Sequence, residues 1–323
     1  MTKKILLIAA IIMLGFSCKQ NPATPQAVES VTVPAFNPDS AYQYTANQVA
    51  FGPRVPNTEA HKQCGDYLAN ELRRFGATVV EQEAVLYTYD NQALKARNII
   101  GSFSPENKNR ILLCAHWDTR PFADHDPDPA NHRTAIDGAN DGAGACGALL
   151  EIARQIGIEQ PKLGVDIIFF DAEDWGAPEF EAHAEGGWCL GSEHWARNPH
   201  VLNYTARFGI LLDMVSAKGA QFYKEQFSMH YAKNVVNKVW EAALIEGYGS
   251  FFVNELGGAI QDDHVPVNQI RKIPCIDIIH HDPTTATGFG SYWHTLNDNM
   301  DTISKETLKA VGQTVLYVVY NEK

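Results

Sequence analysis

The 323-residue sequence predicts an α/β fold, with a largely parallel, twisted central sheet covered by helices on both faces. Three observations carry this expectation. Short runs that are apolar on every side chain recur along the chain, as strands buried on both faces require. Segments of helical period stand between them. The chain is also long enough to bury a large core, and its 45% hydrophobic and 20% charged content is ordinary for a globular protein.

The first element is a targeting segment. Lys3 and Lys4 precede an apolar run from Ile5 to Phe16, shorter than the roughly 20 residues that span a bilayer but fitting a secretory signal over residues 1–17. Ser17-Cys18 follows and resembles a bacterial lipobox, although Leu14 sits four residues before Cys18 rather than three. The expectation is an exported protein, lipid-anchored through Cys18 to the bacterial cell envelope and facing the periplasm or the exterior. Such processing removes Lys3 and Lys4 and takes the formal net charge from −12 to −14. Residues 18–38 read as the lipidated cysteine and a flexible tether rich in Pro, Ala, Gln, Val and Ser. No repeat or second linker interrupts residues 39–323, so these are expected to form one catalytic domain.

The domain begins with a helical period at Ala60, Cys64, Tyr67, Leu68, Leu72 and Phe75, ended by Gly76. Strands are expected at 111–115, 165–170, 208–212 and 274–279, and helices at 144–156, 228–246 and 304–320. Basic residues are scattered, with no run longer than Arg73-Arg74 or Arg271-Lys272, which argues against nucleic acid as a partner. Besides Cys18 there are five cysteines, an odd number that leaves at least one unpaired, and the core is large enough without staples, so the chain is not read as a disulfide scaffold.

Ligands of open α/β sheets bind beyond the carboxyl ends of the strands. There the sequence places His116-Trp117-Asp118, then Asp171-Ala172-Glu173-Asp174, then Asp213, while Asp277 lies within the last strand run. Loops add Asn140-Asp141-Gly142 and Trp293-His294-Thr295. Clustered carboxylates repel one another unless a cation neutralises them, and carboxylate oxygen mixed with imidazole suits zinc. Adjacent side chains at a strand end diverge, so Glu173 and Asp174 are expected to serve different partners.

The order His116-x-Asp118, Asp141-Gly142, Glu173-Asp174, Asp213, His294 resembles the co-catalytic zinc aminopeptidases and the related zinc-dependent glutaminyl cyclases, over roughly residues 40–323. The resemblance implies a zinc aminopeptidase-like fold. It implies Asp141, Asp174 and His294 as ligands of a zinc ion common to both groups, Glu173 as general base, and Asp118 as the partner that orients His116. It implies His116 and Asp213 as further ligands wherever a second zinc is held, so one Zn2+ is expected for a cyclase and two for an aminopeptidase.

Gln261-Asp262-Asp263-His264-Val265-Pro266 resembles the acidic-pair motif of the cyclases, and Phe289 and Trp293 match aromatic residues of their glutamine pocket. Asp277 departs from the pattern, standing where animal cyclases have histidine. The resemblance therefore favours a glutaminyl-peptide cyclotransferase acting on peptides or proteins with N-terminal glutamine, with Glu173, Asp213 and Asp262 catalytic and Phe289 and Trp293 binding substrate. The alternative is a two-zinc aminopeptidase. A binding-only descendant would have lost the base or a ligand, and none is lost.

Three features have blander readings. The Asp124-His125-Asp126-Pro127-Asp128-Pro129 loop lacks the glycine of a calcium loop and reads as a solvated acidic loop. His280-His281-Asp282 belongs to no motif of the family. Of Trp175, Trp188 and Trp195, at least two are expected in the core. In animal cyclases a disulfide joins the positions near Cys114 and Cys146. Cys114 is displaced by one residue, which turns its side chain to the other face of a strand and puts that bond in doubt.

Overall fold

The computed structural model describes residues 32–322. The expected signal peptide, Cys18 and residues 19–31 of the expected tether lie outside the described residues.

Helix α1 (Pro38–Val49) starts on Asn37, whose side chain accepts the amides of Asp39 and Ser40. Helix α2 (Glu59–Arg74) is capped by Thr58, and its amphipathic face buries Leu68 and Leu72. It stops at Gly76, where φ is +92°. A hairpin follows, β1 (Thr78–Tyr87) and β2 (Ala93–Phe103), then β3 (Arg110–His116), α3 (Ala145–Ile158) and β4 (Gly164–Phe170). Helix α4 (Leu190–Arg197) leads to β5 (Gly209–Asp213). Next come β6 (Phe222–Lys224), α5 (Gln226–Ile245) and β7 (Phe252–Leu256), with β6 and β7 forming a small separate pair. A short turn, α6 (His264–Pro266), runs into helical residues Val267–Arg271, and β8 (Cys275–Ile279) and α7 (Lys305–Asn321) complete the chain.

The main sheet has the order β1-β2-β4-β3-β5-β8. Pairs β3–β4, β3–β5 and β5–β8 are parallel, whereas β1–β2 and β2–β4 are antiparallel. The sheet is therefore mixed but mostly parallel at its centre, as the apolar runs predicted. Every residue of β3, β4, β5 and β8 is buried, so both faces are covered. On one face Leu112, Cys114, Ile168, Phe170 and Leu211 pack with Trp195 and Ala196 of α4. Trp175 is likewise packed, against Leu94.

After β3 the chain crosses to β4 on one side and then returns to β5 on the other. The strand order reverses beside β3, and the crevice beyond the ends of β3, β4 and β5 is where such sheets bind ligands.

Two expectations need correction or completion. The expected boundary at residue 38/39 lies too late, because the packed body already includes Phe36, 3% exposed, whose amide donates to Gln313 Oε1 at 2.8 Å. All five cysteines among the described residues are free and buried. Cys114 Sγ faces the Ile210 carbonyl and Cys146 Sγ the His116 carbonyl, so no Cys114–Cys146 bond forms.

Candidate active site

Strand β3 delivers His116 to the crevice, buried. Its Nε2 lies 3.0 Å from Asp141 Oδ1 and 3.2 Å from Asp213 Oδ1, and its Nδ1 lies 3.6 Å from Asp118 Oδ1. Asp141 sits in a kinked segment, Ala139–Gly144, ahead of α3. Gly142 follows it with φ +98°, where an added Cβ would stand 2.9 Å from the Asp118 carbonyl and 3.1 Å from His116 Cε1. Only glycine fits that close approach in that conformation. The Asp298 carboxylate fixes the same segment by accepting the Asn140 amide at 2.8 Å and the Asp141 amide at 3.0 Å.

Strand β4 ends on a turn in which Ala172 has φ +52°. Beyond it Glu173 and Asp174 diverge as expected. Asp174 Oδ1 lies 3.4 Å from His294 Nε2, whereas Glu173 Oε1 accepts from Cys189 Sγ at 3.4 Å. Both of their backbone amides donate to Asp118, at 3.1 and 3.2 Å. Cys189, Met214 and His294 also have positive φ. Such strained non-glycine residues gather where the surrounding structure over-determines a site.

His294 Nε2 also lies 3.7 Å from Asp141 Oδ2. Its other ring nitrogen, Nδ1, lies 3.4 Å from Asp124 Oδ1. This corrects the reading of residues 124–129 as a solvated loop, since Asp124 is 5% and Asp126 7% exposed. Arg120 grips Asp124 with two hydrogen bonds at 2.7 and 2.6 Å, and Asp126 accepts the Leu296 amide beside His294.

Among the groups of ligand atoms that lie within 4.8 Å of one another, two share Asp141: Asp141, Asp174 and His294, and His116, Asp141 and Asp213. Asp174 Oδ2 is buried without a hydrogen-bond partner. Burial pushes the Glu173 carboxyl well above its ordinary range and that of Asp213 up to about 7, and neighbouring carboxylates add to both. Burial likewise raises Asp174, helped by Asp141, and raises Asp262. Asp174 and Asp213, whose surroundings disfavour their charge, stand with Asp141 and two imidazoles as a donor set that a zinc ion satisfies.

A cavity of about 260 Å³ opens over these groups. Asp141, Glu173, Asp174, Asp213, Asp262 and His294 line it together with apolar surface from Trp188, Ile260, Ile279, Phe289 and Trp293. Phe289 and Trp293 stand 4.8 Å apart by ring centroid, and Trp293 stacks on the His294 ring at 3.8 Å. Trp188 is thus a pocket residue, while Trp175 and Trp195 are in the core as expected.

All residues singled out from the sequence for metal, catalysis and substrate therefore meet at one crevice, except that His116 is not among those lining the cavity itself. Asp277 is buried behind it, within 4.8 Å of Asp262 and His264. His280 takes no part; its Nδ1 bonds the Tyr292 hydroxyl at 2.6 Å. Arg120, Asp124, Cys189 and Asp298 were not anticipated. Asp124 and Asp298 act through contacts with residues far away in sequence, and only the acidic character of the 124–128 loop gave any signal.

Residues 98–319 match the model of peptidase family M28. The chain is similar to a Zn-dependent exopeptidase from Parabacteroides distasonis, at 64% identity and TM-score 0.89, covering 90% of this chain and 100% of that one. It is similar to the glutaminyl cyclase of Tannerella forsythia at 62% identity and TM-score 0.89, with the same coverage. It is also 27% identical to the glutaminyl-peptide cyclotransferase of Bos taurus over 287 residues, 79% of this chain and 74% of the bovine protein. A family match over more than half of the chain, on a fold and a site of this kind, means that this enzyme belongs to peptidase family M28.

Proposed function

We propose that the enzyme is a glutaminyl-peptide cyclotransferase, converting N-terminal glutamine of peptides or proteins to pyroglutamate with release of ammonia. The observation that carries this reading is the position of Asp262. Its carboxylate lies within 4.8 Å of Glu173 in the wall of the cavity, and it belongs to neither of the two ligand groups that share Asp141. A carboxylate next to the base and apart from those two groups is suited to receive the N–H of an attacking amine. The cavity of about 260 Å³ is below the roughly 300–1,000 Å³ of drug-sized sites and suits one terminal side chain.

In this reading Phe289 and Trp293 hold the glutamine side chain folded back on its own α-amine, the near-attack geometry that can supply much of the acceleration. The α-amine nitrogen bonds to the side-chain amide carbon, and the bond from that carbon to the amide nitrogen breaks. Glu173 takes the amine proton and returns it to the departing nitrogen, which leaves as ammonia. Its raised proton affinity suits both halves of that transfer. Asp262 and Asp213 orient the amine and Glu173 by hydrogen bonds. Asp141, Asp174 and His294 would hold the zinc ion, whose chemistry there would be that of a Lewis acid toward the amide carbonyl.

A second reading, a two-zinc aminopeptidase, is favoured by one observation: His116 and Asp213 meet Asp141 in a second group of ligand atoms. Incubating the purified enzyme with a Gln-peptide and a Leu-peptide decides between the two. Loss of ammonia from the first is expected by mass spectrometry. Release of free leucine without pyroglutamate would refute the cyclotransferase. The Ile5–Phe16 run and Cys18 further support an exported enzyme on a lipid anchor.

A further inference from the structure

His61 lies on α2, outside the cavity, yet it touches both strand ends that carry the site. Its Nε2–H donates to the Asp171 carboxylate, 2.9 Å from both oxygens. Its ring stacks on the Trp117 indole with centroids 4.2 Å apart and planes within 16°. Trp117 stands between His116 and Asp118, and Asp171 stands two residues before Glu173. His61 is 5% exposed and Asp171 fully buried.

Asp171 holds a strained turn. Ala172 adopts the left-handed region at φ +52°, where the Cβ of a non-glycine residue crowds the backbone. Buried carboxylates pin the turn through its successive amides. Ala172 N donates to Asp171 Oδ1 at 2.8 Å, then Glu173 N and Asp174 N donate to the two oxygens of Asp118. The Arg97 amide gives Asp171 Oδ2 a further bond at 2.6 Å. Among the described residues, the side-chain donor that these bonds bring to Asp171 is His61. Without it a buried carboxylate loses a partner beside the turn that aims Glu173, and such a group is costly to leave under-bonded.

We propose that His61 is a positioning residue: through Asp171 and Trp117 it clamps the ends of β3 and β4 so that Glu173 meets the substrate in reacting geometry. This rests on the assignment of Glu173 as base. His61, Asp171 and Trp117 do not line the cavity, so the residue acts on turnover rather than on substrate affinity.

The test compares wild type, His61→Phe and His61→Gln, with Glu173→Gln as control, on whichever of a Gln-peptide or Leu-peptide the wild type turns over. Phenylalanine keeps a ring for Trp117 but has no donor for Asp171; glutamine keeps a donor. For His61→Phe we expect kcat to fall about 10- to 100-fold, since a displacement near 1 Å can cost about 10²-fold, with KM changed less than about twofold. His61→Gln should recover most of the loss, and zinc content and melting temperature should show that both variants are folded and loaded. If His61→Phe does not fold, Asp171→Asn reads the same link and should lower kcat alone. Wild-type kcat in the variant used, a rise in KM without a fall in kcat, or no recovery in His61→Gln overturns the proposal. Failure of the base assignment is read separately, as Glu173→Gln keeping full turnover.

Discussion

Asp124 and Asp174 face opposite nitrogens of one ring: Asp124 Oδ1 lies 3.4 Å from His294 Nδ1 and Asp174 Oδ1 lies 3.4 Å from Nε2. With a carboxylate this near one nitrogen, the ring can be oriented by it and offer the other nitrogen to a metal beside the second carboxylate. Arg120 keeps Asp124 in place, and against the cost of burial it holds the Asp124 carboxyl well below the usual carboxylate range.

Asp124→Asn should therefore weaken zinc binding about 10- to 100-fold, the usual effect of removing a partner behind a ligand. Competition with a chromogenic chelator measures it. Unchanged affinity would mean that His294 needs no such support.

The residues that meet at the crevice were largely legible in the sequence, and the supports behind them were not. His116, Glu173, Asp174 and Asp213 directly follow or end apolar runs, and an apolar run buried on both faces leaves little doubt about where a strand stops. Asp298, by contrast, reaches Asn140 from 158 residues away, and nothing local marks it. The same holds for the fold. Strands β3, β4, β5 and β8 match the expected runs within one or two residues. The edge hairpin was not read at all, because β1 alternates exposed and half-buried residues, with Glu81 and Glu83 among its valines. Helix α1 escaped for a related reason: its buried side includes Thr45 and Gln48, which bond to carbonyls rather than forming an apolar stripe.

Glu225 gives a prediction on stability. Burial opposes its charge, but His264 beside it and the amides of Ile260 and Ser228 prevail and lower its carboxyl from 4.5 to about 2. A depressed folded-state value means stabilisation that is complete above the ordinary value and lost as pH falls through about 2. At pH 7, Glu225→Gln should cost on the order of 1–3 kcal/mol in urea unfolding. The difference from wild type should shrink steadily below about pH 4.5. A gap that stays constant down to acid unfolding would show that packing, not charge, is what the glutamate contributes.

Export gives a prediction independent of the site. If Cys18 carries lipid, the full-length protein should partition with membranes and incorporate labelled palmitate, and Cys18→Ser should do neither. Recovery of soluble wild-type protein with a different N-terminal residue would end the lipoprotein reading.

The most discriminating prediction concerns the neighbours Glu173 and Asp174. They are adjacent in sequence and share Asp118 through their amides, yet one faces Cys189 and Asp262 and the other faces His294. Their loss should separate accordingly. Glu173→Gln keeps the shape and removes the proton carrier, so zinc content and binding of a Gln-peptide should survive while turnover falls on the order of 10²–10⁴-fold. Asp174→Asn takes charge from the group with Asp141 and His294, so zinc itself should be lost, as it should in His294→Ala. Asp262→Ala leaves the two groups that share Asp141 untouched. It should keep zinc and still cyclise poorly, because the amine loses its acceptor. His116→Ala then counts the ions: one zinc retained with cyclisation largely intact fits the cyclotransferase, whereas a fall from two zincs to one with loss of leucine release fits the aminopeptidase. Zinc-depleted Glu173→Gln beside zinc-replete Asp174→Asn would reverse the assignment of the two carboxylates.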